Sequence, residues 1–427
     1  MDRIIALIIF LFSYTLLITE KVNRTIVAIL GATIMMIFGI FDNHIEAIKN
    51  YVDVNTIYLL MGMMIFVSVI RKKGLFEYLG IVTLKIFKKN GFLLYFGLTF
   101  MVALMSAIID NVTTVLVFIP ITLAITDSLD VDPLPFIFGE IMASNIGGTA
   151  TIIGDPPNIM IASAAGLNFT EFFLTNGPIS FINLFTMQII TMIMFKKTLN
   201  FKIDQEKVKS FDPHSAIGNK KDFIISWFLL ILTLLMFIFQ HQLEMESSTI
   251  ALFIGFLALL ILDKDEVEEI LKEVEWGTIL FFFGLFIITG GLVETGILKD
   301  FTYFLAKIAG DSMRSFAMML IGVSGTVSGV VDNIPFTATM IPVIKNLQNI
   351  NPETFGNLNP LWYALSLGAC LGGNFTPIGA SANIIALAML KQFKNEEISF
   401  INFFKYAALI VSVNLIISAI YIEFILI

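Results

Sequence analysis

The chain has 427 residues, of which 57% are apolar and only 14% are charged, and its mean hydropathy is +0.88. Soluble domains carry about 25% charged residues, so this composition excludes an ordinary soluble domain and indicates an integral membrane protein. The formal net charge of −8 does not indicate orientation, because sidedness follows the Lys and Arg residues rather than the total charge.

Several apolar stretches are predicted to span the membrane, since about 20 residues cross the hydrocarbon core and flanking residues can extend a shorter apolar centre. They are residues 4–18, 25–41, 57–70, 178–195, 224–239, 248–262, 278–292 and 403–425. The first stretch also resembles a signal peptide, but its only basic flank is Arg3 and no small-residue cleavage site follows it. The segments 74–89 and 296–309 combine charge with an apolar face, which is typical of helices along the interface.

Other apolar regions are predicted to be interrupted within the membrane. Residues 93–126 and 315–347 are too long for one crossing and too short for two, and each contains an Asp-Asn pair. We predict that each is a re-entrant hairpin. Residues 135–165 and 361–390 carry Gly and Pro at their centres, so we predict two broken helices. The predicted fold class is an all-α polytopic membrane protein with about ten transmembrane helices.

An internal repeat covers most of the chain. The first copy reads SAIIDNVTTVLVFIP and then SNIGGTATIIGDPPN, and the second reads SGVVDNIPFTATMIP and then CLGGNFTPIGASAN. A constant offset of 222 residues relates Thr56 to Thr278, Gly62 to Gly284, Gly74 to Gly296, and Asp110 to Asp332. Such an offset indicates a duplication, and an odd number of crossings in each half predicts that the two halves are inverted.

The basic residues predict the orientation of these halves. With the N-terminus outside, most Lys and Arg residues fall in inside loops, as the positive-inside rule requires. We therefore predict a multi-pass plasma-membrane protein with both termini outside. Residues 1–195 form the first inverted repeat, residues 196–221 a solvated cytoplasmic connector, and residues 222–427 the second inverted repeat.

The Asp-Asn pairs at the predicted hairpin tips, Asp110 with Asn111 and Asp332 with Asn333, form the first candidate site. Their side-chain oxygens lie where a broken helix also leaves backbone groups unpaired. Such oxygens suit a sodium ion, whereas a carboxylate shielded from water can hold a proton instead. The alternative is that each Asp only caps the following helix. We predict that they bind a coupling proton or sodium ion, and sodium is the only bound group that the sequence suggests.

The predicted breaks form a second candidate site. Unwound carbonyls attract cations, and the helix N-terminus expected near Pro156 attracts anions or substrate oxygens. Gly and Pro kinks also occur for packing alone, but here Asn and Thr accompany them in both halves. We predict substrate binding by Thr113, Asn145, Gly147, Gly148, Thr149, Gly154, Asn158, Thr337, Gly373, Asn374, Thr376, Gly379, Ser381 and Asn383.

Two acids of the first copy have no acidic counterpart in the second, because Glu140 and Asp155 correspond to Leu365 and Ala380. They are included in the predicted coupling site, since extra carboxylates in one half can hold a proton or pair with a cation. The sequence leaves a second interpretation open for both. In it, Asp155 caps the half-helix that follows, and Glu140 is neutral and hydrogen-bonded.

The residues do not support disulfide formation, coupling to ATP or proteolysis. The single cysteine, Cys370, allows no intrachain disulfide, and the three histidines lie in separate polar loops. Neither a G-x-x-x-x-G-K-[ST] loop nor an H-E-x-x-H motif is present, so coupling to ATP and proteolysis are unsupported. The predicted energy source is an ion gradient or the gradient of the substrate itself.

The motifs SAIIDNVTTV, SNIGGTATIIGDPPN and DNIPFTATMIP resemble those of the ion transporter superfamily. That superfamily contains arsenite-efflux permeases, citrate and dicarboxylate carriers, one type of bacterial sodium/proton antiporter and the melanosomal P protein. The resemblance implies two inverted repeats with paired hairpins, a homodimeric scaffold and an elevator-like movement. Dicarboxylate carriers of the superfamily have Ser-Asn-Thr signatures, whereas this chain has Asp-Asn-Val and Asp-Asn-Ile, which favours proton or sodium coupling.

From these residues and this resemblance we predict a secondary active transporter for a small anion or arsenite-like solute, coupled to protons or sodium, and not an enzyme. A sodium/proton antiporter is the main alternative, and a gated channel is a further one. The expected partners are the lipid bilayer, a small ionic substrate and a second copy of the chain, with no nucleic acid.

Overall fold

The computed structural model describes residues 1–19, 21–310, 312–394 and 398–427. The helices of the first half are α1 (Asp2–Thr19), α2 (Arg24–Ile37), α3 (His44–Tyr51), α4 (Val54–Lys72), α5 (Leu75–Ile86), α6 (Gly91–Ser106), α7 (Asn111–Leu129), α8 (Leu134–Thr149), α9 (Pro156–Ala165) and α10 (Phe169–Met194). The connector contains α11 (Lys196–Leu199), α12 (Gln205–Lys209) and a 3-10 turn at Pro213–Ala216.

The helices of the second half are α13 (Lys220–Ile238), α14 (Ser247–Leu262), α15 (Val267–Glu273), α16 (Trp276–Glu294), α17 (Ile297–Ile308), α18 (Met313–Val327), α19 (Asn333–Ile350), α20 (Asn359–Gly372), α21 (Ser381–Lys394) and α22 (Phe400–Tyr421), which continues as a π-turn at Ile422–Leu426. Among the described residues, 7 helices are long and apolar enough to cross a membrane. Shorter apolar helices accompany them at Arg24–Ile37, Gly91–Ser106, Ser247–Leu262 and Met313–Val327. The predicted all-α, multi-pass fold class is confirmed.

Helix α10 begins earlier than the sequence predicts. We expected a span at 178–195, but the helix begins at Phe169 and keeps Pro178 inside it. The reason is a capping box, in which Asn168 accepts a hydrogen bond from the amide of Glu171 and the Glu171 side chain accepts one from the amide of Asn168. This cap places the start of α10 at Phe169, nine residues before Pro178.

The two halves pack through corresponding close contacts. Helix α4 packs on α14. Helix α16, which corresponds to α4 through the 222-residue offset, packs on α2. A Cβ added at Gly62 would lie 2.6 Å from the carbonyl oxygen of Ala251, and a Cβ added at Gly284 would lie 2.6 Å from that of Ala28. Both glycines therefore permit backbone contact between helices, as small residues do in membrane proteins. The inverted orientation of the halves stays a prediction.

The repeated glycines Gly74 and Gly296 also have matching conformations. Both are left-handed, with φ of 77° and 73°, and they precede α5 and α17 respectively. Glycine adopts this conformation without the steric cost that a side chain brings. The local chain direction before the two predicted interface helices is thus set in the same way in both halves.

Most side chains of the predicted connector, residues 196–221, are exposed, as a solvated segment requires, whereas a few of its apolar side chains are buried. Leu199 and Val208 are buried in an apolar cluster beside α6 and α8. Gln205 donates a hydrogen bond to the carbonyl of Lys88 at 2.7 Å. The polar composition of this segment concealed a few apolar side chains, and burying them stabilises its contact with the first half.

Helices α8 and α20 lie at the centre of the protein. Every residue from Pro135 to Thr149 is buried, as is every residue from Pro360 to Gly372. Helix α8 packs against α6, α7, α10, α20 and α21, so it contacts both halves. The predicted breaks at the ends of these two helices consequently lie deep inside the protein.

We predict that Gly62→Ala and Gly284→Ala each destabilise the protein by about 1–3 kcal/mol, because the added methyl group forces packed backbones apart. The matched control is Gly322→Ala, since a Cβ at Gly322 meets no atom within 4 Å. Thermal unfolding of the purified protein in detergent measures all three. Equal melting temperatures for the three variants would contradict the proposed backbone contact.

Candidate functional site

Both predicted breaks are present. Helix α8 ends at Thr149 and α9 begins at Pro156, while α20 ends at Gly372 and α21 begins at Ser381. Glycines bring the neighbouring helices close to these ends, because a Cβ at Gly147 would collide with the backbone of Ala103. A Cβ at Gly372 would collide in the same way with the backbone of Gly325. The glycines therefore have a packing role beside the breaks.

An asparagine braces each break in the same way. Asn158 donates from Nδ2 to the carbonyl oxygens of Gly148 and Thr151, both at 3.0 Å. Asn383 donates from Nδ2 to the carbonyl oxygens of Gly373 and Thr376, at 2.8 and 2.9 Å. Both asparagines are fully buried. These bonds satisfy carbonyl groups that the interrupted helices leave without partners.

The chain bends between α6 and α7, at residues 107–110, and between α18 and α19, at residues 328–332. A threonine joins each of these two bends to the nearby break. Thr151 donates to the carbonyl of Ala107 at 2.6 Å. Thr376 donates in the corresponding way to the carbonyl of Gly329. Residue 107 follows α6 and residue 329 follows α18, so a hydrogen bond links the bend to the break in each half. The sequence analysis included Thr376 but missed Thr151, although the repeat pairs them.

Amide side chains connect the two halves across the centre. Asn111 donates to Oδ1 of Asn145 at 2.9 Å. Asn145 then donates to Oδ1 of Asn374 and to Oδ1 of Asn383, both at 2.8 Å. Asn374 donates in turn to the carbonyl of Met142 at 3.2 Å. Four predicted site residues from both halves therefore form one buried network, which joins the N-terminus of α7 to α8 and to the break between α20 and α21.

The bends place Asp110 and Asp332 at the N-termini of α7 and α19. Asp110 accepts hydrogen bonds from the amide of Thr113 at 2.8 Å and from its hydroxyl at 2.6 Å. Asp332 accepts one from the amide of Ile334 at 3.1 Å. Both acids thus cap the helices that follow, as the alternative interpretation predicts. Capping leaves carboxylate lone pairs that remain available to another ligand.

Asp155 does not cap α9 through its side chain, although it occupies the N-cap position. Asn333 donates from Nδ2 to both of its carboxylate oxygens at 3.4 Å, which are long bonds. Asp155 is 1% exposed. A buried carboxylate without strong partners costs free energy unless a proton or cation accompanies it. The structure therefore does not support the capping interpretation for Asp155.

A small cavity of about 30 Å³ lies between the two bends. This volume suffices for about one or two water molecules or a bare monatomic cation. Its polar lining comes from six segments of the chain and includes Arg24, Asp110, Asn111, Asp155, Glu275, Thr278, Asn333 and Ser381. We call it the central cavity. Among the described residues that line it, three are carboxylates and one, Arg24, is a cation.

The sequence analysis missed Arg24 and Glu275 as site residues. Arg24 forms an ion pair with Asp332 at 3.4 Å between Nη1 and Oδ2. Glu275 accepts a hydrogen bond from the hydroxyl of Thr278 at 2.9 Å. In the sequence, Arg24 is one of the basic residues that predict the orientation of the halves. Its place at the first position of α2 was an available signal, because a positive charge there opposes the helix dipole.

The remaining predicted residues lie around this centre. Glu140 accepts a hydrogen bond from Thr122 at 2.5 Å within the core, and it is not among the described residues that line the central cavity. Thr149 donates to the carbonyl of Asn145 in its own helix. Thr337 is fully buried, and its hydroxyl has no partner among the described residues. Other predicted residues lie in the break loops themselves: Gly154, Gly373 and Gly379.

We predict that Asn158→Ala and Asn383→Ala each lower stability by about 1–3 kcal/mol without any substrate present, since each leaves two buried carbonyls without a donor. Asn414→Ala is the control. Asn414 is equally buried in α22, and its Oδ1 accepts no bond from the described residues. Thermal unfolding in detergent provides the measurement. Unchanged stability of both site variants would show that the asparagines do not brace the breaks.

Comparisons with known proteins agree with this architecture. The pattern of the citrate transporter family (CitMHS) matches residues 14–368. An uncharacterized transporter of Mycobacterium tuberculosis is 36% identical over 421 residues, covering 98% of this chain and 97% of that protein. The P protein of Sus scrofa is 31% identical over 481 residues, covering 94% of this chain and 57% of that protein.

Two solved structures have a similar fold. The YdaH transporter of Alcanivorax borkumensis aligns with a TM-score of 0.63 at 12% identity, covering 89% of this chain and 86% of that one. MtrF of Neisseria gonorrhoeae aligns with a TM-score of 0.63 at 14% identity, covering 91% of this chain and 84% of that one. The predicted superfamily resemblance is confirmed, and the relatives are transporters rather than enzymes. The chain belongs to the citrate transporter family of multi-pass membrane transporters.

Proposed function

We propose that the protein is a secondary active transporter in which a proton or a sodium ion binds at the central cavity and drives the movement of a small anion or arsenite-like solute. One observation carries this proposal. Asp110, Asp155 and Glu275 line a single cavity together with the amides Asn111 and Asn333. Ionisable groups within a membrane protein are costly, and they mark ion and proton pathways.

The chemistry of the lining favours a cation or a proton as the occupant. Carboxylate and amide oxygens are ligands for hard cations. Three carboxylates face the cavity, namely Asp110, Asp155 and Glu275, and Arg24 is the only cation among the described residues lining it. An anion entering this cavity would meet net negative charge, whereas a sodium ion or proton reduces the repulsion between the acids.

The cargo would bind at the breaks beside this cavity. Helices α9 and α21 begin there, at Pro156 and Ser381, and helix N-termini stabilise negative charge. The match to the citrate transporter family supports an anionic cargo. Pockets for organic ligands measure about 300–1,000 Å³, so the present cavity of about 30 Å³ must enlarge before such a cargo binds.

Sodium/proton antiport is the second candidate, and the size of the central cavity favours it. A volume of about 30 Å³ fits a monatomic ion without any opening. In that case the cation is itself the cargo, and Asp110 and Asp155 alternate between sodium and proton.

We also propose a homodimer in the plasma membrane with both termini outside. The many exposed large apolar side chains of α1, α10 and α13 support extensive contact with lipid or with a second copy. Labelling introduced cysteines from one side of the membrane tests the orientation of the termini.

Transport by purified protein in liposomes tests the coupling role. We predict that Asp110→Asn and Asp155→Asn each lower cation-driven transport at least about tenfold, because an amide cannot exchange a proton and lacks the charge that attracts sodium. Asp300→Asn is the control, since Asp300 is exposed and pairs with Arg3 at the protein surface. It should transport at the wild-type rate.

The same vesicles separate the two candidate functions. Sodium added outside acid-loaded vesicles collapses the pH gradient if the protein is an antiporter. Accumulation of citrate or arsenite that requires a proton or sodium gradient, without that collapse, supports anion transport. Unchanged transport and pH dependence in both Asp110→Asn and Asp155→Asn would contradict the coupling role.

A further inference from the structure

Arg24 occupies a position where the fold itself disfavours a positive charge. It is the first residue of α2, after the N-cap Asn23, and cations there oppose the helix dipole. The matching contacts of Ala28 and Ala251 align α2 with α14 and place Ser247 at the equivalent position. The second half therefore has a neutral residue where the first half has an arginine, so the repeat does not require this charge.

The guanidinium of Arg24 is held by groups from the second half of the chain. It donates to the hydroxyl of Ser381 at 2.5 Å and to that of Thr278 at 3.1 Å, and it pairs with Asp332 at 3.4 Å. Its Cζ lies 5.3 Å from the centre of the Phe281 ring, which is within range of a cation–π contact. These contacts fix the charge at the edge of the central cavity.

The neighbouring charges are unequal in the two halves. Asp332 has Arg24 as a counter-ion, whereas the carboxylate of its repeat partner Asp110 accepts hydrogen bonds from the amide and the hydroxyl of Thr113. The charged groups around the cavity are Arg24, the acids Asp110, Asp155 and Glu275, and Asp332 beside them. Arg24 is thus one fixed positive charge among four carboxylates.

We propose that Arg24 is a tethered cation that competes with the bound sodium ion or proton for the negative charge of the central cavity, and so determines how tightly that cation binds. This inference rests on the proposed coupling site. Arginine side chains are positively charged in proteins across the physiological pH range. The repulsion of a second cation by Arg24 therefore persists under every condition in which transport occurs, and it favours release of the ion after transport.

Sodium-dependent thermal stabilisation in detergent tests the inference without relying on transport. Sodium chloride is titrated against choline chloride at constant ionic strength, because only a bound ion raises the melting temperature specifically. We expect Arg24→Gln to lower the half-saturating sodium concentration by about tenfold. Arg24→Lys, which keeps the charge but not the forked geometry, should stay within about threefold of the wild type.

Arg71→Gln is the matched control. Arg71 pairs with Glu273 at 2.8 Å, and its side chain is 35% exposed, compared with 33% for Arg24. It is not among the described residues that line the central cavity. This variant should bind sodium as the wild type does. A general effect of losing one charge would instead shift Arg71→Gln and Arg24→Gln equally, and that result would overturn the inference.

The outcomes distinguish this inference from the proposed function. If the bound cation is a proton, the protein is stabilised by lowering the pH instead of by adding sodium. The pH midpoint of that stabilisation is then higher in Arg24→Gln than in the wild type. Wild-type stability that responds to neither sodium nor pH would overturn the coupling site and the inference together. A wild-type response that Arg24→Gln leaves unchanged or weakens would overturn the role of Arg24 alone.

Discussion

Backbone groups inside a membrane must find hydrogen-bond partners within the protein, and the rest of this structure depends on how that requirement is met at the two helix breaks. Asn158 and Asn383 supply the missing donors through matching pairs of bonds. Because these two side chains donate hydrogen bonds to the carbonyl groups at the breaks, α8 and α20 can end at the centre of the protein. The polar site exists because these breaks are stable there.

Both halves of the repeat contribute residues to the site. The amide network through Asn145 links the N-terminus of α7 in the first half to the break between α20 and α21 in the second, and the central cavity receives side chains from both halves. Movement of one half relative to the other would therefore change the surroundings of Asp155 and Asn333. This coupling between packing and charge is what a transporter needs in order to link ion binding to exposure of its cargo site.

Much of the fold was predictable, because its signals are local. Gly, Pro and Asp in apolar sequence predict the bends and breaks without knowledge of any contact. The start of α10 was mispredicted because Pro178 resembled a boundary, whereas the capping box at Asn168 lies upstream. The position of Arg24 at the start of α2 was a local signal of an unusual role, but only tertiary packing shows that Arg24 and Glu275 lie near Asp332 and Asp110.

Infrared difference spectroscopy tests the central claim most directly, because it observes the carboxyl groups themselves. We expect changes in sodium concentration or pH to alter carboxyl bands from the central cavity, and we expect these changes to disappear in a variant combining Asp110→Asn with Asp155→Asn. Asp300→Asn should keep the wild-type difference spectrum, since Asp300 is exposed at the surface. Full persistence of the bands in the double variant would contradict ion binding by these two residues.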